Sequence, residues 1–537
     1  MLCVPQNGVR KAIFHYICGM FVKNKKNRSG SVSVVIAEKH GKSYTEHCTI
    51  GVSSDKAEIE KYRQEGKIWI RNYKKQYQPE LDLYQEEYEA KKQEQEATLR
   101  FLSNIENILL NGSQLILNKV FDRIGFNKVE DDIFRQLVLS RLSFPGSKAA
   151  TVEYLKNHFD EDVDLTRIYR YLDKLNDGLK DIIQNISILH TRQILGNNIG
   201  VLFYDVTTLY FETDREDELR KTGFSKEGRH SNPQIILGLL VSIHGYPLSY
   251  SIHEGNKYEG HTMLPIIKGF VKKHTLSDFV VVADSGLMTE SNLCEMEELG
   301  YKYIIGARIK NESKLVKQWI LSQPKIDRQM VELDKGSGRR LLVGYTESRA
   351  KKDVYNRQKG VKRLEKMYKR GTLSKEHINK RGYNKFLSIN KDVQIAINYD
   401  LIAEDAVWDG LKGYLTNTDL PKDSVYEAYH NLWNVELAFR IAKSKIEIRP
   451  MFHFTRKRIE AHIAICFVAL KVYKELDRIL KTTNINMSVD KVLNMAKTIT
   501  TIQVKLPLNN QSISKTMIMK RHKRIEKLFD ENFWGTH

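Results

Sequence analysis

The fold is decided by a stretch near the middle of the chain, Gly200-Val201-Leu202-Phe203-Tyr204-Asp205-Val206-Thr207-Thr208-Leu209-Tyr210-Phe211. Most of its side chains are apolar, and β-branched and aromatic residues dominate, as is typical of a buried strand. Asp205 interrupts the apolar run. A carboxylate in a buried strand is costly unless it is paired or bound to a cation. The stretch therefore predicts a sheet strand that carries a candidate metal ligand.

The order of the elements after this strand predicts an α/β sheet. Two further strands, Ile235–Ile243 and Leu248–His253, complete a meander. A helix, a strand, a helix and a strand follow, at Leu264–Lys273, Phe279–Ala283, Glu290–Leu299 and Tyr301–Ala307. A meander followed by this alternation is the order of a ribonuclease H-like core. Single strand–helix–strand units are common, so the order alone is weak evidence.

A second carboxylate, Asp284, ends the apolar run Val280-Val281-Val282-Ala283. Functional sites in α/β sheets assemble at the carboxyl ends of strands. Either Asp205 or Asp284 alone would more often be a structural cap or a turn residue. On neighbouring strands, the two aspartates predict a site for a hard cation with oxygen ligands.

A third carboxylate, Glu436, lies on a predicted helix, Ser424–Lys443. Residues at spacings of three and four share one helix face, and here they are Val425, Tyr429, Leu432, Glu436, Phe439 and Lys443. A glutamate among apolar neighbours needs a partner, and the predicted metal site supplies one. The alternative is a surface glutamate paired with Arg440 one turn later.

The charge of the chain points to a polyanionic partner. Its 537 residues include 86 Lys and Arg against 66 Asp and Glu, a formal net charge of +20. Nucleic acid and an anionic membrane surface are the two partner classes, and a basic surface without a specific partner is the third interpretation. The longest apolar runs are too short to span a bilayer, which needs roughly 18 residues. Five scattered cysteines predict neither a zinc site nor a disulfide framework.

The part of the chain before the predicted core divides into two regions. Residues 20–78 are expected to form a β-hairpin, Ser31–Ala37 with Ser43–Ile50, and a helix. Residues 79–195 are expected to be a helical DNA-binding region, with Pro79 starting a helix. Three short helices within residues 129–175, the second capped by Ser147, are compatible with a helix-turn-helix reader or with plain helical packing. Residues 1–19 are interpreted either as an extension ahead of the first domain or as the result of the choice of start codon.

The predicted core spans residues 196–310 and 401–480, interrupted by residues 311–400. Between Arg349 and Lys385, that insertion has 14 Lys and Arg against three acids. Such a segment predicts phosphate contacts, for which the candidates are Lys362, Arg363, Lys366, Lys369 and Arg370. Strand-like segments, Arg340–Tyr345 and Val393–Tyr399, lie on either side of this basic middle. Residues 481–537 are expected to form a helical C-terminal region.

The segment from Tyr429 to Lys443 resembles the third-carboxylate signature of insertion-sequence DDE transposases. That signature is Tyr, two residues, Arg, three residues, Glu, six residues and Lys. Tyr429, Glu436 and Lys443 keep the spacing, whereas Leu432 stands in place of the Arg. The segments around Asp205 and Asp284, together with Gly255-Asn256 and residues 448–453, are also similar to that family.

The resemblance implies a cut-and-paste DNA transposase with a ribonuclease H-like core, in which a β-rich insertion, here residues 311–400, separates the second Asp from the Glu. It implies that Asp205, Asp284 and Glu436 hold two Mg²⁺ ions, for which Mn²⁺ substitutes, and that the ions activate a water against a phosphodiester. Tyr429 and Lys443 would position phosphates, and Arg440 is a further predicted DNA contact. Some relatives stack a flipped base on tryptophan, for which Trp408 and Trp433 are the candidates; each is also a plausible core aromatic.

The implied partner is double-stranded DNA, both at the terminal inverted repeats and at the target. The protein is expected to act as a homodimer on paired ends. It is expected to have no membrane partner and to lie with the nucleoid in a prokaryotic cytoplasm. Two alternatives stay open. A metal-dependent nuclease without strand transfer would use the same carboxylates. The other is a transposase-derived DNA-binding protein that has lost catalysis. Leu432, in place of the signature Arg, is compatible with such a loss.

Overall fold

The computed structural model of the chain describes residues 19–77, 79–175, 178–225, 228–379, 382–389, 395–506 and 511–535. It forms two compact units, residues 1–107 with 503–513 and residues 108–502 with 514–537. The predicted N-terminal extension lies outside the described residues, apart from Gly19. None of the helices in these ranges combines the length and the apolar composition that crossing a membrane requires.

The first unit is built on an antiparallel sheet of three strands, β1 (Met20–Lys26), β2 (Val32–His40) and β3 (Ser43–Ser53). Helix α1 (Lys56–Tyr77) packs on this sheet, and α2 (Pro79–Ser103) follows it. The predicted hairpin and the helix start at Pro79 are confirmed. The strand β1 is an addition that the sequence analysis missed.

The second unit begins with a set of helices, preceded at the boundary by a short strand, β4 (Ile105–Leu109), that was predicted as helix. The predicted helical trio is confirmed, and Ser147 caps its second member by accepting a hydrogen bond from the amide of Ala150. Buried apolar side chains from all three helices join one large core cluster. Their DNA-reading role stays a prediction. The helices are α3 (Gly112–Ile124), α4 (Asp132–Ser143), α5 (Lys148–Phe159), α6 (Leu165–Lys174) and α7 (Leu179–Ile194).

The predicted alternation of strands and helices after residue 200 is confirmed with shifts of a few residues at the ends. The elements are β5 (Val201–Tyr210), β6 (Gln234–Ser242), β7 (Pro247–Glu254), α8 (Met263–His274), β8 (Val280–Ala283), α9 (Glu290–Glu298) and β9 (Lys302–Ala307).

The insertion is more helical than predicted. Its basic middle forms one helix of 23 residues, whereas two of its strands have only three residues each. The prediction of a β-rich insertion is therefore wrong for this part, because Lys, Arg, Glu and Gln are good helix formers. The elements are α10 (Lys314–Ser322), β10 (Met330–Gly336), β11 (Arg339–Tyr345), α11 (Glu347–Lys369), β12 (Leu387–Ile389), β13 (Ile395–Ile397) and α12 (Tyr399–Ala406).

The C-terminal part corrects two further predictions. The single helix expected over Ser424–Lys443 is two helices, which break at Asn431 and Leu432. The region after residue 481, expected to be helical, contains two strands and a 3-10 helix, Lys520–Phe529. The elements are β14 (Leu411–Thr416), α13 (Lys422–His430), α14 (Trp433–Ser444), α15 (Arg456–Thr482), α16 (Val489–Ala496), β15 (Thr500–Lys505), β16 (Ser512–Met517) and α17 (Glu531–Gly535).

One mixed sheet of eight strands organises the second unit, in the order β10-β11-β14-β9-β8-β5-β6-β7. The three central strands β5, β8 and β9 run parallel, and the flanking pairs are antiparallel. Phe203 and Leu209 of β5 belong to the same core cluster as residues of α14 and α15. Leu202, Tyr204 and Val206 join residues of α8 and α9 in another cluster. Helices thus cover both faces of the central strands, as parallel strands require.

Candidate active site

Asp205 and Asp284 lie side by side because β5 and β8 are neighbouring parallel strands. The register pairs Tyr204 with Ala283, and the two aspartates are the next residue of each chain segment. β8 ends at Ala283, so Asp284 stands at the carboxyl edge of the sheet, whereas β5 continues to Tyr210. Asp205 is half-buried, and its Oδ1 accepts a hydrogen bond from the amide of Val206 at 2.8 Å. The structure thus brings together the two aspartates that the sequence singled out.

Tyr429 on α13 contacts the second of these aspartates. Its hydroxyl donates a hydrogen bond to Oδ1 of Asp284 at 3.1 Å. Burial raises the pKa of the Tyr429 hydroxyl, and the negative charge of Asp284 and this hydrogen bond raise it further. The hydroxyl therefore stays protonated and remains a donor at neutral pH.

Gly306 on β9 makes room for this contact. A Cβ at that position would lie 2.6 Å from the Tyr429 hydroxyl oxygen and 3.3 Å from Oδ1 of Asp284. Any side chain at residue 306 would displace the tyrosine or the aspartate. The contact between Tyr429 and Asp284 therefore requires glycine at position 306, a residue that was not predicted from the sequence.

Glu436 lies in the first turn of α14 and is exposed. A carboxylate at this end of a helix is favoured by the helix dipole. Its negative charge adds to the raised pKa of the Tyr429 hydroxyl, after burial and Asp284. The sequence spacing predicted Tyr429 and Glu436 on one face of one helix. That prediction is wrong, because the helix breaks at Asn431 and Leu432 and two helices carry the two residues.

A cleft of about 1170 Å³ joins these groups. Asp284, Glu436 and Tyr429 line it together with cations from other elements. Those cations include Lys412 on β14 and Arg349 and Lys352 at the start of α11, none of which was singled out from the sequence. A lone lysine in the apolar strand Leu411-Lys412-Gly413-Tyr414 was the signal available for the first of them.

The donor set fits hard divalent cations, which bind carboxylate oxygens. Asp284 and Glu436 line one cleft, and Asp205 neighbours Asp284 on the adjacent strand. Across the ranges that the structure describes, no group of three His, Cys, Asp or Glu side chains is drawn together closely enough to hold a metal ion. The assignment of all three carboxylates as ligands therefore stays a prediction.

The remaining predicted site residues divide between the cleft and other surfaces. Trp433 is 49% exposed and lines the cleft. Trp408 packs against the apolar cluster of β11 and α10 instead. On α14, Arg440 is exposed and Lys443 is half-buried. The five basic candidates are all exposed, four on α11 and one just beyond it: Lys362, Arg363, Lys366, Lys369 and Arg370.

Comparison with known proteins finds a family model and similar solved structures. The model of the family described as "Transposase DDE domain" matches residues 197–471. A cryo-EM structure of the piggyBac transposase synaptic complex with hairpin DNA is similar with a TM-score of 0.36 and 8% sequence identity. That likeness covers 82% of this chain and 80% of the other. No curated protein matches the sequence.

Proposed function

This chain belongs to the transposase DDE domain family, and from that premise we propose that it is a cut-and-paste DNA transposase. It binds the terminal inverted repeats of its own insertion sequence, cleaves their strands and joins the freed 3′ ends to target DNA. The observation that carries this proposal is the family match over residues 197–471, because it covers every element that lines the cleft.

The catalytic core is proposed to be ribonuclease H-like, within residues 196–310 and 401–480. The meander β7-β6-β5, continued by the parallel strands β8 and β9, supports this assignment. The other proposed regions are an N-terminal region at 20–78, a DNA-binding region at 79–195, the basic insertion at 311–400 and a C-terminal region at 481–537.

Asp205, Asp284 and Glu436 are the proposed ligands of two Mg²⁺ ions, with Mn²⁺ as a substitute. Bound there, the ions supply an activated water and neutralise charge on the phosphodiester under attack. Tyr429 fixes the orientation of the Asp284 carboxylate through its hydroxyl, as groups that hydrogen-bond to metal ligands do. In the first step a water oxygen bonds to phosphorus and the 3′ oxygen leaves with a proton. In strand transfer, the freed 3′ hydroxyl bonds to a target phosphorus and a target 3′ oxygen leaves.

DNA binding is proposed to rest on positive charge outside the carboxylates. The proposed phosphate contacts are the exposed basic candidates on α11, together with Arg370 beyond it and Arg440 and Lys443 on α14. Trp433, exposed in the cleft, is the better placed of the two candidates for stacking on an unpaired base. A homodimer on paired ends, acting on the nucleoid of a prokaryotic cytoplasm, belongs to the same proposal.

The test is transposition with purified components. A donor plasmid carries a marker between the terminal repeats of the element, and a second plasmid serves as the target, in Mg²⁺ buffer. We expect excision of the marker and its insertion into the target. The matched control is a donor with scrambled repeats, which should give neither product. Cleavage at the repeats without joined product would favour a nuclease, and binding without cleavage would favour a non-catalytic DNA-binding protein.

A further inference from the structure

The cleft next to the predicted metal ligands is lined by carboxylates and by cations. Asp284 and Glu436 line it, and Lys412, Arg349 and Lys352 are among its cations. Carboxylates attract metal cations, whereas ammonium and guanidinium groups attract an anion. A phosphodiester is an anion that such cations can bind beside a metal site.

Lys412 lies beside the tyrosine that contacts Asp284. Its Nζ lies 5.2 Å from the centre of the Tyr429 ring, and the hydroxyl of that ring donates to Asp284. Strand pairing explains this position. Gly413 is paired with Ala307 on β9, and β9 is the neighbour of β8, whose end carries Asp284.

The surroundings of Lys412 leave its charge available to a ligand. It is half-buried, and within the described ranges its Nζ has neither a hydrogen-bond acceptor nor an ion-pair partner. Burial lowers the pKa of the Lys412 ammonium group, the negative charge of Asp284 raises that pKa, and the positive charge of Arg349 lowers it. A half-buried ammonium group without a paired acid is stabilised by an incoming anion.

We propose that Lys412 binds the phosphate at which the DNA strand is cut, and that Arg349 and Lys352 bind neighbouring phosphates of the same strand. The proposal rests on the proposed transposase function and adds a phosphodiester site to it. Leu432 stands where the family signature has an arginine and is buried, so the cationic contact of this cleft comes from β14 and α11 instead.

The test maps the contact by removing single phosphate charges. Duplexes carrying the terminal repeat receive one neutral methylphosphonate at each position around the cut, and their affinity is measured without divalent metal so that no cleavage occurs. In the unmodified protein, neutralising the cut phosphate should weaken binding about tenfold, a contact of about 1.4 kcal/mol. In Lys412→Gln the same substitution should cost less than about twofold, whereas neighbouring positions keep their effects.

Two further variants make the result specific. Lys412→Arg keeps the charge and should retain the sensitivity at the cut phosphate. Lys317→Gln removes a lysine of α10 that does not line the cleft and should also retain it. The inference is overturned if Lys412→Gln, folded by circular dichroism, stays as sensitive at that position as the unmodified protein, or if Lys317→Gln loses the sensitivity equally. Failure of the transposase proposal looks different, because the unmodified protein would then neither recognise nor cut the repeats.

Discussion

The hydroxyl of Tyr429 donates to Oδ1 of Asp284 over 3.1 Å, and this contact joins helix α13 to the carboxyl edge of the central sheet. Tyr429 and Asp284 are separated by 145 positions in sequence. The two residues come close because β9 pairs with both β8 and β14 in the sheet. The contact therefore links the sheet that carries two of the predicted ligands to the chain segment that carries the third.

The first prediction concerns that hydrogen bond. Tyr429→Phe removes the hydroxyl and leaves the ring, so the Asp284 carboxylate loses one orienting contact. Groups that hydrogen-bond to metal ligands typically account for about 10-fold to 100-fold of affinity or activity. We expect cleavage to need more Mg²⁺ by about that factor, with duplex binding unchanged. Tyr426→Phe, one turn earlier and lining the same cleft, should behave as the unmodified protein. Equal Mg²⁺ requirements for both variants would contradict the assignment.

The second prediction concerns the charge of α11. Each phosphate contact contributes about 0.9 to the slope of log affinity against log salt. Replacing Lys362, Arg363, Lys366, Lys369 and Arg370 by Gln should flatten the slope by several units, because all five are exposed. Exchanging Lys for Arg and Arg for Lys at the five positions keeps the charge and should keep the slope. An unchanged slope in the Gln variant would show that DNA runs elsewhere.

The third prediction concerns the start of the folded chain. Met20 begins β1, and Gly19 supplies one backbone contact, a carbonyl that accepts from the amide of Lys39. A protein starting at Met20 should keep its melting temperature and its activity. A protein that also lacks Met20–Lys26 loses a whole strand and exposes the edge of β2, so it should melt earlier or aggregate. Lost transposition in the shorter truncation, with expression unchanged, would show that the first 19 residues matter.

The fourth prediction concerns a buried carboxylate in the second unit. Glu475 on α15 is fully buried, accepts a hydrogen bond from the Tyr246 hydroxyl at 2.7 Å and pairs with Arg478 at 2.7 Å. Burial raises the pKa of Glu475, but its contacts with His190, Arg478 and Tyr246 outweigh burial and lower that pKa to about 2. Glu475→Gln should lower the free energy of unfolding at pH 7 by about 3–5 kcal/mol, because the half-buried guanidinium groups of Arg123 and Arg478 lose their buried acid.

The pH dependence of this effect has a definite sign. A carboxylate whose pKa is depressed in the folded state stabilises the protein above its unfolded pKa, and the stabilisation is lost as the pH falls. The gap between the unmodified protein and Glu475→Gln should therefore shrink as the pH falls from about 4.5 towards about 2. Denaturant unfolding at several pH values measures it. Asp477→Asn, on the same helix and paired with exposed Lys481, should cost about 0–1 kcal/mol. A gap that grows on acidification would contradict the charge assignment.

The central strands and two of the predicted ligands could be predicted because their signals are local. Apolar runs ended by Asp284 or interrupted by Asp205 indicate buried strands whatever the rest of the chain does. Placing the two aspartates side by side also needed the strand order of the expected core, because β6 and β7 lie between β5 and β8 in sequence.

The break between α13 and α14 could not be predicted from the same kind of signal. The apolar spacing of Val425, Leu432 and Phe439 continues across Asn431 as if one helix ran through. The break instead brings Tyr429 and Glu436 into the cleft from two helices. Lys412 was missed for a related reason, since its place beside Tyr429 depends on strand pairing between residues about a hundred positions apart.

The long helix α11 shows a different limit. The resemblance to a family with a β-rich insertion outweighed the composition of residues 347–369, which favours helix. The strand-like ends were correct at β11 and at β13, but the segment between them followed its local propensity. Local composition was the better guide here because an exposed basic segment has little tertiary packing to override it.

Cleavage and binding by carboxylate variants test the proposed ligand set. Asp205→Asn, Asp284→Asn and Glu436→Gln each remove one charge and nearly keep the shape. The fold should tolerate these changes because neighbouring carboxylates such as Asp205 and Asp284 repel one another without metal, and Glu436 is exposed. Glu427→Gln removes a carboxylate from the same cleft and serves as the matched control. All four variants should shift a terminal-repeat duplex on a gel. In Mg²⁺ the first three should cleave it at least about 100-fold more slowly, because the activation of water is lost, whereas Glu427→Gln should cleave normally. Undiminished cleavage by any of the first three would contradict the proposed ligand set.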